Sequence, residues 1–412
     1  RSTFPVEEGQ TVVVTAGAGG VGLLLTQLAA EATPLDGAAE VIVMDDGTGD
    51  PALTARLRAL IGTLPLPIRL LIEGPRLSPD DLSLADVYRA RRRIQGRVCC
   101  TPLVESPSLS ARAGTPVFLK LETVQPTGSF KLRGATNALA RLAEQGCRKV
   151  VTASTGNHGR ALAHAARALG IAATVCMSAL VPANKVHAVR ALGGKARIVG
   201  KSQDEAEHEA LRLVREEDFA YVPPFDDPHV IAGQATIGLE IVEALPDVAN
   251  IVVPLSGGGL FAGVAFAARS ANRAIGLSGV TMSRGAAMHA SLAAGHPVLV
   301  EEVETLADSL GGGIGLENRY TYALTRDLID ETVLLDEASI ARGIVHAYRH
   351  ERLVIEGAAA VGIAALLDGV LAAGRLKRGP LVLVVTGANI DMDQHRRIVD
   401  SASTQPDPHG IL

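Results

Sequence analysis

Apolar residues along this chain fall into two periods. Short β-branched runs without alternation, at 149–152, 172–176, 196–199, 251–254 and 381–385, are separated by longer stretches in which apolar positions recur every three to four residues. Unalternating apolar runs suit strands covered on both faces, and strands that alternate with helices imply parallel sheets. The pattern predicts a strand at 149–152 before a helix at 160–169 that Gly170 ends, and a strand at 172–176 before a helix at 183–192. A strand at 196–199 and a helix at 204–216 follow. Upstream, a basic helix from Leu84 to Ile94 introduces this body. Residues 1 to 50 read as strand (11–15), glycine turn (16–22), helix (23–30) and strand (41–44). Pro51, Pro65, Pro67, Pro75 and Pro79 then leave room only for a short helix at 53–61, a strand at 68–72 and a linker ending near Ser78. The expected class is α/β.

Composition narrows the function classes. The 412 residues suffice for two or three domains at roughly 150 each. A chain 47% hydrophobic and 20% charged is too apolar for disorder. A net charge of −5 and the absence of Trp give no basic footprint and few stacking platforms, so no nucleic-acid partner is expected. No apolar run reaches the roughly 18 residues of a membrane span, so no membrane partner is expected. Residues 1–10 carry acids and no apolar segment, unlike a secretory signal. Cys99, Cys100, Cys147 and Cys176 lack metal-ligand spacing and a disulfide framework, which places the chain in a reducing cytoplasm.

Three segments carry chemistry. Ser256-Gly257-Gly258-Gly259-Leu260 follows an apolar strand and precedes a small-residue helix at 261–270. It reads either as a plain strand-to-helix turn or as a phosphate cradle of converging N–H groups. No Gly-Lys-Ser/Thr ending follows, which disfavours a P-loop. Pro126-Thr127-Gly128-Ser129-Phe130-Lys131-Leu132-Arg133-Gly134 sets a lysine between a turn and a helix at 135–144. A lone lysine is usually a solvated charge, but one near a phosphate cradle suggests a Schiff base with pyridoxal phosphate. Ser154-Thr155-Gly156-Asn157-His158-Gly159 lies at a helix start, where N–H groups suit a substrate carboxylate. Asn157 is equally suited to cap that helix.

Together with Thr386-Gly387-Ala388-Asn389, these motifs resemble, in order and separation, the fold-type II pyridoxal-phosphate family of threonine dehydratases and serine racemases. The resemblance runs from about Ser83 to Asp400. Residues 307–319 look similar to the dehydratase branch associated with hydroxyectoine utilisation. The family implies a tryptophan synthase beta-like architecture: two parallel-sheet domains with the cofactor in the cleft, and a homodimer. It implies that Lys131 bonds the cofactor and shuttles the Cα proton, that Phe130 packs beside the ring, and that Asn157 bonds the ring hydroxyl. Gly257, Gly258, Gly259 and Leu260 would hold the phosphate, Thr386 would face the pyridine nitrogen, and Glu356 matches an acid near cofactor and substrate. Ser154, Thr155, Gly156, Asn157 and His158 would hold the substrate carboxylate.

A hydroxyl opposite the ring nitrogen does not keep that nitrogen protonated as an Asp would, so quick expulsion of a β-hydroxyl suits this ring better than a long-lived carbanion. Asp391 and Asp393 lie beyond the motif and read as solvated. Cation-activated relatives carry a glutamate where Thr281-Met282-Ser283-Arg284-Gly285 stands, so no metal is expected. Thr155 at the position of the racemase's second serine leaves weak racemisation open, and Ala388 replaces a common glycine.

Gly17-Ala18-Gly19-Gly20-Val21-Gly22, with Asp45 and Asp46 downstream, fits a dinucleotide-binding turn like that of quinone-reductase-type dehydrogenases. One βαβ unit lacks the second half of such a site, so a structural appendage is the expectation. The expected division is a Rossmann-like extension and linker at 1–82, a large cofactor domain at 83–147 and 226–402, and a small substrate-carboxylate domain at 148–225. The expected activity is β-elimination from L-threonine, L-serine or a related β-hydroxy amino acid, giving a 2-oxo acid and ammonia. The cofactor phosphate serves as acid for the leaving hydroxyl, as the resemblance implies. Amino-acid racemisation, or dehydration of a hydroxyectoine-derived intermediate, is the alternative. About a dozen residues follow Asp400, too few for the regulatory domain of biosynthetic threonine dehydratases.

Overall fold

The computed structural model describes residues 12–16, 41–45, 68–69 and 82–403, apart from 155 and 372–375. The chain divides into two units, residues 1–81 and 82–412. In the first, β1 (Val12–Ala16), β2 (Val41–Asp45) and β3 (Ile68–Arg69) form a parallel sheet in that order. Because Ile68 pairs with Val41, the sheet extends beyond the single βαβ unit read from the sequence. Three such strands are one of the two halves a dinucleotide site needs. The glycine turn 17–22, the helices expected at 23–30 and 53–61, and Asp46 lie outside the described residues.

The second unit opens with α1 (Leu84–Ile94), started by a capping box. Ser83 Oγ accepts from the Asp86 amide at 3.2 Å, and the Asp86 carboxylate accepts from the Ser83 amide at 3.0 Å. The chain continues through β4 (Leu103–Glu105), α2 (Pro107–Ala113), β5 (Val117–Leu121) and α3 (Lys131–Glu144). Three βα units follow: β6 (Lys149–Thr152), α4 (Asn157–Leu169), β7 (Ala172–Met177), α5 (Ala183–Ala191), β8 (Lys195–Ile198) and α6 (Gln203–Glu217), then the short β9 (Ala220–Tyr221). The remainder comprises α7 (Pro228–Ala244), β10 (Asn250–Pro254), α8 (Gly259–Ala271), β11 (Gly276–Met282), α9 (Ala287–Ala294) and α10 (Thr321–Leu328). It ends with β12 (Glu331–Leu335), α11 (Glu337–Arg349), α12 (Gly357–Leu367), β13 (Leu381–Val385) and α13 (Met392–Ser403).

Two sheets result. The smaller has the order β8-β7-β6-β9 and is parallel throughout. The larger has the order β12-β11-β10-β13-β5-β4, with only the β4 edge antiparallel. Its central strands explain their unalternating sequences. Ile251, Val253, Val382 and Val384 pack against Ile237 and Ile241 of α7 and Phe261 and Val264 of α8. Val252, Leu381, Leu383 and Val385 pack against Ile340 and Ile344 of α11 and Ala360 and Val361 of α12. Both faces are covered by helices, so all of β13 and all of β10 after Asn250 are apolar. Among the described residues no helix is long and apolar enough to cross a membrane.

Candidate active site

Lys131 is the first residue of α3, at the point where three backbone contacts tie two distant loops together. The Phe130 amide donates to the Thr386 carbonyl at 3.0 Å, the Ala388 amide donates to the Gly128 carbonyl at 2.9 Å, and Ser129 bridges Gly387. Gly128 takes a left-handed φ of 72° and leaves the space that Asn389 fills. The lysine loop is therefore seated on the end of β13, with Thr386 beside it. Lys131 Nζ donates to the Pro224 carbonyl at 2.7 Å and lies 5.2 Å from the Phe130 ring centre. Burial pushes the ammonium down to about 8, against the opposing pull of the Glu356 carboxylate.

Glu356 precedes α12, and its side chain turns inward with 3% exposure. Burial raises its carboxyl to about 7, although hydrogen bonds from the Asn157 side chain and the Asn389 backbone and the charge of Arg160 favour the ionised form. Asn157 Nδ2 donates to both Glu356 oxygens, at 2.8 and 3.1 Å. Asn157 is not the helix cap that the sequence also allowed. Gly156 holds that position without a side-chain bond, and Asn157 begins α4. The helix therefore starts three residues earlier than its apolar period indicates, because a polar first turn carries no periodic signal.

His158 is buried. Its Nε2 lies 3.0 Å from the Val222 carbonyl, which can only accept, so Nε2 carries the proton and Nδ1 is left without a partner among the described residues. Burial, followed by the nearby charge of Lys131, pushes this imidazole down to about 3, and it is neutral. Ser154 and Gly156 complete the described part of this loop; Thr155 lies outside the described residues.

Gly258 precedes α8 with φ of 88°, a left-handed conformation in which a side chain would also meet Met288 and Thr325. The first-turn amides of α8 lack intrahelical acceptors and converge at Gly257 to Leu260. The Phe225 ring fills the space a side chain at Gly257 would need. Thr386 is 2% exposed, and its Oγ1 has no partner among the described residues.

Sequence reading missed the segment that joins these parts. Residues 222–227 carry the chain from β9 to α7. Within them Val222 holds His158, Pro224 holds Lys131, and Phe225 lies on the Gly257 turn. Asp226 accepts from the amides of Arg319, Tyr320 and Thr321 at the start of α10, and Asp227 caps α7 through the His229 and Val230 amides. The Asp227-Pro228 pair was a readable cap followed by proline at the first helical position. Val222 and Pro224 act through backbone carbonyls, which leave no sequence signal.

Arg133 was also missed. It is fully buried and donates to Glu122 Oε2 and Oε1 at 2.8 Å each and to Glu240 at 2.6 and 2.8 Å. Lys120 donates to the same Glu240 at 2.6 Å. Two cations and two carboxylates thus cancel inside the fold, and they hold α3 to β5 and α7 two residues beyond Lys131.

The segments expected to hold cofactor and carboxylate are thus linked around the start of α3, through Phe130, Lys131 and the 222–227 segment. The sequence profile of the family described as "Pyridoxal-phosphate dependent enzyme" matches residues 94–387. The "Putative threonine dehydratase" of Sinorhizobium fredii (strain NBRC 101917 / NGR234) is 57% identical over 321 residues, 78% of this chain and 96% of that protein. The L-threonine ammonia-lyase of Thermotoga maritima is 40% identical over 320 residues, 77% of this chain and 78% of that protein. Among solved structures, maize serine racemase superposes with a TM-score of 0.72 at 31% identity, covering 78% of this chain and 98% of the racemase. With the family profile, these relatives and the fold in agreement, the chain belongs to the pyridoxal-phosphate dependent enzymes of fold-type II.

Proposed function

We propose that this chain is a pyridoxal-phosphate dependent dehydratase that converts L-threonine, or a closely related β-hydroxy amino acid, to a 2-oxo acid and ammonia. The carrying observation is the 222–227 segment. One residue of it, Pro224, holds Lys131, while the next, Phe225, lies on the glycine turn, so the lysine and the anion cradle share a wall. The 57% and 40% identical relatives named for threonine dehydration and ammonia release support the same substrate class.

The residues present fit the cofactor. An orphaned hydroxyl at Thr386 suits an unprotonated ring nitrogen, the turn at Gly257, Gly258, Gly259 and Leu260 suits a phosphate, and Lys131 suits the aldehyde carbon. Asn157 and Phe130 flank the ring position in this reading. The bound group would supply an electron sink for the bond broken at Cα.

The chain's own residues do the rest. Backbone amides of the loop at Ser154, Thr155, Gly156, Asn157 and His158 hold the substrate carboxylate at the positive end of α4. Lys131 Nζ takes the Cα proton, a role suited to an amine whose proton affinity burial has already lowered. The Cβ–O bond breaks and the β-hydroxyl departs as water, its added proton balanced by the one that Lys131 takes from Cα. The resulting enamine tautomerises and takes up water, releasing ammonia and leaving the oxo acid, so that threonine yields 2-oxobutanoate and ammonia. Neutral His158 and the carboxyl of Glu356 line the site without adding a second fixed cation.

The large cofactor-binding part at 83–147 and 226–402 and the small part at 148–225 belong to this proposal, as do a homodimer and a cytoplasmic location. The four cysteines, unbridged in the fold, support a reducing compartment. A hydroxyectoine-derived β-hydroxy amino acid is the finer substrate reading.

The test is 2-oxo acid release from a panel of L-threonine, L-serine and hydroxyectoine-derived intermediates, with chiral analysis of residual serine. Threonine turnover that Lys131→Ala abolishes, together with the visible absorbance of the bound cofactor, is the expected result. Racemised serine without oxo acid would overturn the reading.

A further inference from the structure

Asn157 is the near end of a longer chain of polar contacts. Arg160 Nη1 donates to Asn389 Oδ1 at 2.7 Å. Asn389 Nδ2 donates to Asn157 Oδ1 at 2.7 Å and to the Thr127 carbonyl at 2.9 Å. Asn157 Nδ2 in turn donates to Glu356. Four side chains from α4, the end of β13 and the start of α12 are thereby linked in series.

A guanidinium has donors and no acceptor, so Asn389 must turn its oxygen toward Arg160. Its nitrogen then faces Asn157, which must answer with its own oxygen. The Asn157 nitrogen is left for Glu356, which accepts. The Thr127 carbonyl and the Glu356 carboxylate favour this same orientation of Asn389 and Asn157, and the donor-only cation at the far end locks it. An amide nitrogen carries two hydrogens, and one shared between the two Glu356 oxygens leaves the other of Asn157 for a further acceptor.

We propose that Arg160 is a positioning residue that sets the direction of this chain, so that Asn157 presents N–H rather than C=O to the ring oxygen of the cofactor. The inference rests on the cofactor reading above and deepens it. An N–H partner stabilises the deprotonated ring oxygen, whereas a C=O partner stabilises the protonated one. Arg160 touches neither substrate nor cofactor in this account; it acts through Asn389 and Asn157.

The experiment uses the full chain loaded with pyridoxal phosphate and compares its long-wavelength absorbance band with its near-ultraviolet band. Glutamine both donates and accepts, so Arg160→Gln should lower the band ratio by about tenfold. Arg160→Lys keeps a donor-only cation and should hold the ratio within about twofold of the parent chain. Asn389→Asp preserves the acceptor for Arg160 but removes the donor to Asn157, so it should reproduce the loss seen with glutamine. Its effect also guards against misfolding of a single variant. A parent-like ratio in cofactor-loaded Arg160→Gln or Asn389→Asp, or an Arg160→Lys as altered as the glutamine variant, would overturn the inference. Absence of both bands in the parent chain would instead overturn the cofactor reading, and this inference with it.

Discussion

Asn157 donates to both carboxylate oxygens of Glu356 across 199 residues of sequence. That contact joins the first turn of α4 to the residue that starts α12, and so it joins the small sheet's leading helix to the body of the larger one. It also places a carboxyl in a site where burial outweighs every group that favours its charge.

Glu356 should therefore impose a pH dependence on stability. Its carboxyl titrates near 7 in the fold against an ordinary 4.5, so between those values the folded chain binds more protons than the unfolded one. Stability should fall as pH rises through that window. Glu356→Gln removes the titration, and the stability of the parent chain relative to the variant should drop by about 3 kcal/mol from pH 4.5 to 7.5. Denaturant unfolding of the cofactor-free proteins across this range measures it. A relative stability that rises with pH would refute the assignment.

Gly258 should not tolerate a side chain. Alanine there would adopt a left-handed conformation costing roughly 1–2 kcal/mol and would press on Met288 and Thr325. Because the strain falls on the turn itself, Gly258→Ala should weaken pyridoxal phosphate binding at least about tenfold. Fluorescence titration of the cofactor-free chain reads this directly. Unchanged affinity would show that the phosphate lies elsewhere.

Arg133 should matter to the fold before it matters to chemistry. Arg133→Met leaves Glu122 and Glu240 buried with only Lys120 to balance them, which should cost about 3–5 kcal/mol. Replacing Arg133 and Glu122 together by apolar residues should recover much of that loss. Urea midpoints of the single and double variants test the pairing, and equal midpoints would refute it.

The first 81 residues should be dispensable for dehydration. They form a separate unit, and Ser83 starts α1 with a cap built from its own neighbours. A chain starting at Ser83 should keep its threonine turnover. Because the described residues of the extension form one half-sheet, the full chain should bind NAD or NADP no better than millimolar, about −4 kcal/mol. Micromolar calorimetric binding, lost in Gly19→Val, would make the protein bifunctional.

The lysine and the glycine turn were legible because each is a contiguous motif whose chemistry needs adjacent residues. The central strands were legible because burial on both faces leaves an unbroken apolar run, as at Leu381–Val385. By contrast, α7 and α12 are apolar almost all round and show no amphipathic stripe. Pro224 and Val222 act through carbonyls that any residue carries. Arg160 and Asn389 meet across 229 residues, and no local spacing announces such a pair.

The place of β13 governs the order in which this molecule can be made. It is the last described strand in sequence, yet it sits between β10 and β5 near the middle of the larger sheet. Until the ribosome has released it, β5 has no partner on that edge, and Thr386 and Asn389 are absent from the lysine's surroundings. Between the completion of β12 and that of β13 the nascent chain therefore holds two separated fragments of this sheet with exposed apolar edges, the state most open to wrong pairing. The sheet and the lysine's surroundings are completed together, by the insertion of the last described strand between β10 and β5.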